Sequence, residues 1–572
     1  MYIGRCHCSY VLTPMTDNNT QQTTDDNVNR RRLMQIMGGG AAGGLIPLAG
    51  CSGDGNGGSP SEGGDGQDGG GQDTGEQTET ATPEIQEGGT IVWGHSEVIQ
   101  KLDPHVTTTA SSARILNNLF NSMVGLTSDL EITTDTDIIQ PGLAKDWTVS
   151  DDLKTYEFTL RDGVKFHDGS TLTSADVKYS YNRIVEVDGT WSSTFEATSS
   201  IETPDEKTVV INNDYGYQPF LRQLAHLNVA ILPEGIGDQM KTNPVGTGPF
   251  QFESRQQGTE TVLSAFDDYW AEGPYVDGIE ERTFTDPEAR FSGVKTGDID
   301  IINDIPLDQI NDITSNESDN LRTHTWTPLS WIALNFNNVE PPFDDKKFRK
   351  AIDFAIDKEQ LAEGALFGNG RTTASPSFPN SPFRNNELSP REQDFDKAQS
   401  LIEESQYSAD EFTIPLNVTT NFPFQADAGT IMQQQLSQIG VDMEVKKQSL
   451  GNWLDALFVN QNFQMGLASF FTFWEPSFMY RNYWGTGGAF NYRGYESERY
   501  METLREAERA PDRETAIQKY KECQRIIYED CPDVMIWFRD GTLASKNSFH
   551  GIDGLVQPNN SNLHFATAWL DE

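Results

Sequence analysis

The chain reads as an α/β protein whose several domains share segments instead of following one another. Three observations predict this. Asp151–Ile184 reads strand, turn, strand, turn, helix; Phe412–Val445 reads strand, loop, helix, strand; and Thr325–Phe336 and Val534–Phe538 are apolar strands placed where the chain would cross between bodies. At 572 residues the length suits about three domains of roughly 100–200 residues each.

Taken in order, residues 1–29 hold Cys6, His7 and Cys8, read as removed or untranslated sequence ahead of a leader starting at Met15, not as metal ligands. Arg30-Arg31-Arg32-Leu33-Met34 resembles a twin-arginine export motif and Leu48-Ala49-Gly50-Cys51 a lipobox. Residues 1–50 are therefore expected to be an export signal, with lipidation at Cys51. The apolar stretch between the motifs is too short and glycine-rich for a membrane helix. Residues 51–88 are acidic and Gly-rich, and after Cys51 they lack any aromatic or basic residue. They cannot bury enough apolar surface to fold and read as a disordered tether spanning roughly 33 Å.

Thr90–Gly94 (TIVWG) reads as a buried strand. The loop at its carboxyl end, His95, Ser96 and Glu97, is a candidate ligand contact, because open α/β sheets bind ligands there. Leu116–Gly125 reads as a helix entering a second, smaller domain. In that domain Tyr156, Phe158 and Leu160 alternate with polar residues, and Asp162-Gly163 and Asp168-Gly169 supply turns. Thr173, three residues before Asp176, starts a helix with Val177, Tyr181 and Ile184 on one face. Asn243–Phe250 (NPVGTGPF) reads as a fixed connection and not a phosphate cradle, since no Walker lysine follows it and no GxxxxGK(S/T) occurs in the chain. Phe343-Asp344-Asp345 starts a helix with Phe348, Ile352 and Ile356 on one face. Cys523 and Cys531, about 12 Å apart on a continuous helix, are too distant for a disulfide and read as core thiols.

The chain carries 42 Lys plus Arg against 86 Asp plus Glu, a net charge of −44. Phosphate would be repelled, which excludes a general nucleic-acid binder. Acidic residues are spread along the chain, and their self-repulsion is relieved where molar salt shortens the screening length to about 3 Å. This charge resembles that of haloarchaeal proteins. The histidines are scattered, with no HExxH and no GxSxG elbow, so catalysis finds no support.

Leu160–Ser180 (LRDGVKFHDGSTLTSADVKYS) resembles the signature of the family 5 extracytoplasmic solute-binding proteins, the dipeptide, oligopeptide and nickel binders that feed ABC importers. Asn243–Phe250, Asn335–Ile356 and Asp530–Pro532 match other blocks of that family in order. The resemblance implies a two-lobed periplasmic-binding-protein-like fold (type II, cluster C) with an extra α/β domain. Lobe I would comprise 89–115, 240–328 and 538–572, the extra domain 116–239, and lobe II 329–537. It further implies a monomeric, cofactor-free lipoprotein on the outer face of the cell membrane. Such a protein closes on a peptide or similar small solute and delivers it to a permease. A binder of oligosaccharide or another neutral solute, a chemosensory receptor and a secreted hydrolase are the alternatives.

Peptide binders of the family anchor the ligand amine with an Asp in a segment resembling Ala468–Tyr480. Glu475-Pro476 align with its acidic-Pro pair, which puts Thr472 where that Asp would stand. An Arg that holds the ligand carboxylate in dipeptide binders is replaced by Thr419, Thr420 and Asn421. The remaining candidates are aromatic: Trp453, Phe473, Trp474 and Trp484, with Glu475 as a substitute amine anchor. No metal site is expected.

Overall fold

The computed structural model describes residues 84–107, 109–126, 139–187, 191–310, 320–326, 330–471, 475–539, 541–551, 556–557 and 562–571. The export motifs, Cys51, most of the tether, and Thr472, Phe473 and Trp474 lie outside the described residues. Among the described residues no helix is long and apolar enough to cross a membrane.

The chain is fixed before its first strand begins. Gln86 Nε2 donates to Asp571 Oδ1 and Gly88 N to the Tyr275 carbonyl, each at 2.8 Å, so the last residues of the expected tether are already pinned. Strand β1 (Thr90–His95) buries Ile91 and Trp93 completely. The helix expected over Leu116–Gly125 is instead α1 (Ala110–Leu116), after which the chain extends at Val124–Leu126. Asn118 explains the early stop. Its amide donates to the Leu563 carbonyl at 2.9 Å and its Oδ1 accepts from Phe565 N at 2.8 Å, tertiary bonds that outweigh a weak helix propensity.

The next segment forms strands β2 (Ala144–Val149) and β3 (Thr155–Leu160), helix α2 (Ser174–Glu186), and strands β4 (Thr198–Asp205) and β5 (Thr208–Asn213). The strands form an antiparallel sheet in the order β2-β3-β5-β4. Tyr156, Phe158 and Leu160 point to its core, as their alternation requires. The second strand of the expected module is only a bridge, Lys165 to Thr171, with Gly163 before it and Gly169 in the turn it closes, at φ of 73° and 83°. Asp176 Oδ2 accepts from Thr173 N at 2.8 Å, which closes the capping box of α2.

The chain then returns to β1. Strands β6 (Phe250–Gln256), β7 (Glu260–Ala265), β8 (Gly278–Thr283), β9 (Ile301–Asn303) and β10 (Leu321–Trp326) join it, and β8 and β9 lie parallel to β1 on either side. Beyond β10 a second sheet begins with β11 (Ser330–Phe336), then helix α3 (Lys346–Ala355) and strand β12 (Gly370–Thr372). Strand β13 (Thr413–Thr419), helix α4 (Pro423–Ser437) and strand β14 (Asp442–Gln448) form a parallel βαβ unit. Strand β15 (Met465–Phe471) and helices α5 (Pro476–Trp484), α6 (Glu498–Glu508) and α7 (Arg513–Asp530) lead to β16 (Asp533–Arg539). Cys531 caps α7 in a left-handed conformation at φ 52°, and Cys523 and Cys531 are both buried free thiols.

The last long strand, β17 (Gly541–Lys546), reinserts into the first sheet. The orders are β10-β17-β9-β1-β8-β7-β6 and β12-β16-β11-β15-β13-β14. Both crossings therefore run side by side. Trp326 pairs with Gly541 at the end of one sheet and Trp331 with Phe538 at the start of the other, so a two-stranded ribbon joins the two bodies. The single crossing strand expected over Thr325–Phe336 is in fact two strands, one in each sheet. A continuous apolar cluster runs from the small antiparallel sheet, through Trp191 and Phe220, to Phe478, Trp484 and Tyr520 of the second body.

Candidate functional site

The carboxyl ends of β1 and β9 lie next to each other and bring His95, Ser96, Glu97 and Asp304 together. His95 is buried, and its Nδ1–H donates to the Glu97 carbonyl at 2.6 Å, leaving Nε2 as an acceptor toward Arg114 Nη1 at 3.5 Å. Burial pushes the His95 pKa down to about 3, so the ring is neutral. Ser96 Oγ and Asn303 Nδ2 donate to Asp304 Oδ2 at 2.8 and 2.6 Å, and Arg539 Nη2 donates to Oδ1 at 3.3 Å. Burial opposes ionisation of Asp304, but Arg114, Arg539, Arg290 and Ser96 together outweigh it and hold the carboxyl well below the usual range. Burial pushes the Glu97 carboxyl up, against the pull of Arg114. Asp304 adopts φ 58°, a left-handed conformation that is uncommon outside glycine and clusters at functional sites. Its side chain nevertheless keeps 31 % of its exposure, so this is a crevice that solvent reaches and not a sealed core.

On the second body, Thr419 ends β13 and is buried. Its N donates to Gln425 Oε1 at 3.0 Å, and Asn421 N donates to its Oγ1 at 3.3 Å. Thr420 and Asn421 are exposed just before α4. Arg539 connects the two sides, bonded to Asp304 while its guanidinium lies 6.0 Å from the Phe424 ring of α4.

Trp453 and Trp484 are buried in the second body. Trp484 Nε1 donates to Asp533 Oδ2 at 3.0 Å and the ring stacks on Trp331 at 5.5 Å, whereas Trp453 packs edge-on against Phe458. Glu475 lies elsewhere, at the start of α5, where it accepts from Ser477 N at 3.0 Å, Gln223 Nε2 at 3.3 Å and Tyr520 Oη at 3.3 Å. Burial pushes its carboxyl up to about 7, opposed by Arg222. It belongs to a seam between the small domain and the second body. There Trp191 stacks on His226 at 3.7 Å and on Phe478 at 4.3 Å, and Arg481 reaches Glu196 at 2.8 Å.

The sequence reading missed Arg114, Asp304 and Arg539. Asp304 was within reach of the rule that selects His95–Glu97, since it follows the apolar strand Ile301–Asn303. Arg114 carried no such signal, because a helix position facing a crevice looks like one facing water. Among the described residues no cluster of His, Cys, Asp or Glu could hold a metal ion.

Comparison with known proteins agrees with this architecture. The chain is 28 % identical over 449 residues to the glutathione-binding protein GsiB of Salmonella typhimurium, covering 75 % of this chain and 85 % of GsiB. It is 25 % identical over 481 residues to the probable D,D-dipeptide-binding periplasmic protein DdpA of Escherichia coli, covering 81 % and 90 %. The oligopeptide-binding protein AppA of Bacillus subtilis, solved in complex with a nonapeptide, superposes with a TM-score of 0.74 at 22 % identity, over 86 % of this chain and all of AppA. This shows the two-lobed fold of periplasmic binding proteins. The family model for bacterial extracellular solute-binding proteins, family 5, matches residues 139–491, more than half of the chain, and the protein belongs to that family.

Proposed function

We propose that this protein is the extracytoplasmic substrate-binding component of an ABC importer. It captures a peptide or similar small solute between its lobes and hands it, unchanged, to a membrane permease powered by an ATPase on another chain. The observation that carries this reading is the paired ribbon β10–β17 and β11–β16, two short adjacent links about which two bodies can swing as a unit. The relatives named for glutathione and D,D-dipeptide support a peptide ligand. The twin-arginine motif and Cys51 support export and lipid anchoring, and the charge of −44 supports a high-salt setting. The ligand contacts we assign are His95–Glu97 from lobe I and Thr419–Asn421 with Thr472–Trp474 from lobe II. Thr472 and Thr419 stand where charged anchors would be, which favours an uncharged solute such as an oligosaccharide as the second reading.

A thermal-shift screen in molar KCl with peptides, oligosaccharides and metal chelates tests this. A ligand at a hundred times its Kd stabilises by about 2.7 kcal/mol. Stabilisation by peptides is expected; stabilisation by sugars alone would replace the peptide reading with the second one. Thr472→Asp should raise affinity for peptides with a free amine over their N-acetylated forms, and an unchanged ratio would place position 472 outside the cleft.

A further inference from the structure

The charge of the crevice at the ends of β1 and β9 runs against that of the molecule. A chain of net charge −44 here gathers the guanidinium groups of Arg114, Arg290 and Arg539 around the carboxylates of Glu97 and Asp304. Two of the three cations make close hydrogen bonds. Arg290 donates to the carbonyls of Asn303, Phe284 and Asp304 at 3.1, 2.7 and 2.7 Å, and Arg539 donates to Asp304.

Arg114 does not. Its Nη1 lies 3.5 Å from His95 Nε2 and 3.7 Å from Asp304 Oδ2, at or beyond the limit of a good hydrogen bond. Its Nε is buried and has no hydrogen-bond partner among the described residues. Arg114 helps to keep Asp304 ionised, but Ser96, Asn303 and Arg539 supply the close hydrogen bonds to both carboxylate oxygens. A guanidinium is a planar fork of five N–H donors, and leaving buried donors unmade costs free energy, more so for a charged group. The side chain keeps 11 % of its exposure, so a ligand entering the crevice can reach it.

We infer that Arg114 is a specificity residue that receives a carboxylate of the bound solute, so that the solute class is a peptide or similar small molecule presenting a free acid to lobe I. This rests on the solute-capture reading above and narrows it toward acids and away from neutral sugars. A carboxylate matches the fork bidentately. Neutral His95 accepts at Nη1 and leaves Nε without a hydrogen-bond partner among the described residues.

The test is calorimetric titration, in molar KCl, of the full chain with tripeptides bearing a free C-terminal carboxylate and with the same tripeptides as C-terminal amides. Succinate and succinamide probe the carboxylate alone by thermal shift. The free acids should bind roughly ten- to a hundredfold tighter than the amides, the range for hydrogen bonds to a charged group. Arg114→Gln should abolish that preference, and Arg114→Lys, which keeps the charge but not the fork, should retain part of it. Equal binding of acids and amides by the wild type overturns the inference, as does a preference that survives in Arg114→Gln. Failure of every tripeptide to bind would sink the peptide reading, and succinate then decides for Arg114 alone. Stabilisation by succinate but not succinamide, lost in Arg114→Gln, supports the inference; no difference between the two overturns it. Should Arg114→Gln fail to fold, the wild-type comparison and Arg114→Lys still decide.

Discussion

Asp103 and Arg183 tie the chain after β1 to helix α2 through a bidentate pair, with Nη1 to Oδ1 at 3.1 Å and Nη2 to Oδ2 at 2.5 Å. Both side chains are nine-tenths or more buried, and His105 Nδ1 accepts from the same guanidinium at 2.9 Å. Removing one member strands the other charge, so Asp103→Ala should cost about 3–5 kcal/mol in chemical denaturation. Asp162→Ala, which breaks the exposed pair with Lys145, should cost no more than about 1 kcal/mol; equal losses would contradict this ranking. Titration makes a second residue-scale prediction. Burial pushes the carboxyls of Glu475 and Glu281 up to about 7, so the folded chain prefers them protonated. The stability each contributes is complete below the ordinary value of 4.5 and is lost as pH rises through 7. His95 and His226, pushed down to about 3 by burial, act at the other end: their contribution is present above 6.5 and is lost as pH falls toward 3. Glu475→Gln should flatten the decline of Tm between pH 5 and 8 and leave the acid limb in place, whereas parallel curves would show that Glu475 does not titrate there. At this scale the sequence showed which residues end a strand but not what they face. His95–Glu97 were legible as the residues that end and follow β1. Trp484 resembled a cleft aromatic because a buried ring and a ligand-stacking ring have the same neighbours in sequence.

The seam between the small domain and the second body depends on Trp191, whose ring lies between His226 and Phe478 with the Phe478 plane only 6° away. Trp191→Ala removes a nearly buried indole, and a loss of about 3–5 kcal/mol in chemical denaturation is expected; a loss below about 1 kcal/mol would show that the stack is not tight in solution. The connection Asn243–Phe250 has an equally local reason for its glycines. A Cβ on Gly246 would lie 2.0 Å from the Leu119 carbonyl oxygen, so the segment can run against the chain following α1 only without a side chain. The α2 module and the β13–α4–β14 unit were legible because their turns, caps and periodicity are local. Helix α1 was not, because the tertiary bonds of Asn118 to Leu563 and Phe565 span more than four hundred residues.

Across the whole molecule, behaviour is governed by its charge and by its division at one ribbon. Self-repulsion among 86 acidic residues should ease with salt. The Tm is therefore expected to rise steeply between 0.1 and about 2 M KCl, and a flat profile would remove the halophilic reading. The interleaving of segments was legible from the two apolar crossing strands, whereas their side-by-side pairing was not, since strand order depends on contacts the local pattern does not record. The central claim is that two bodies joined by β10–β17 and β11–β16 close on a guest without altering it. Small-angle X-ray scattering in molar KCl, with and without a saturating ligand from the stabilising set, tests this most directly. A smaller radius of gyration is expected with ligand bound, with the ligand recovered chemically intact; unchanged scattering at saturation, or a converted product, would contradict the claim.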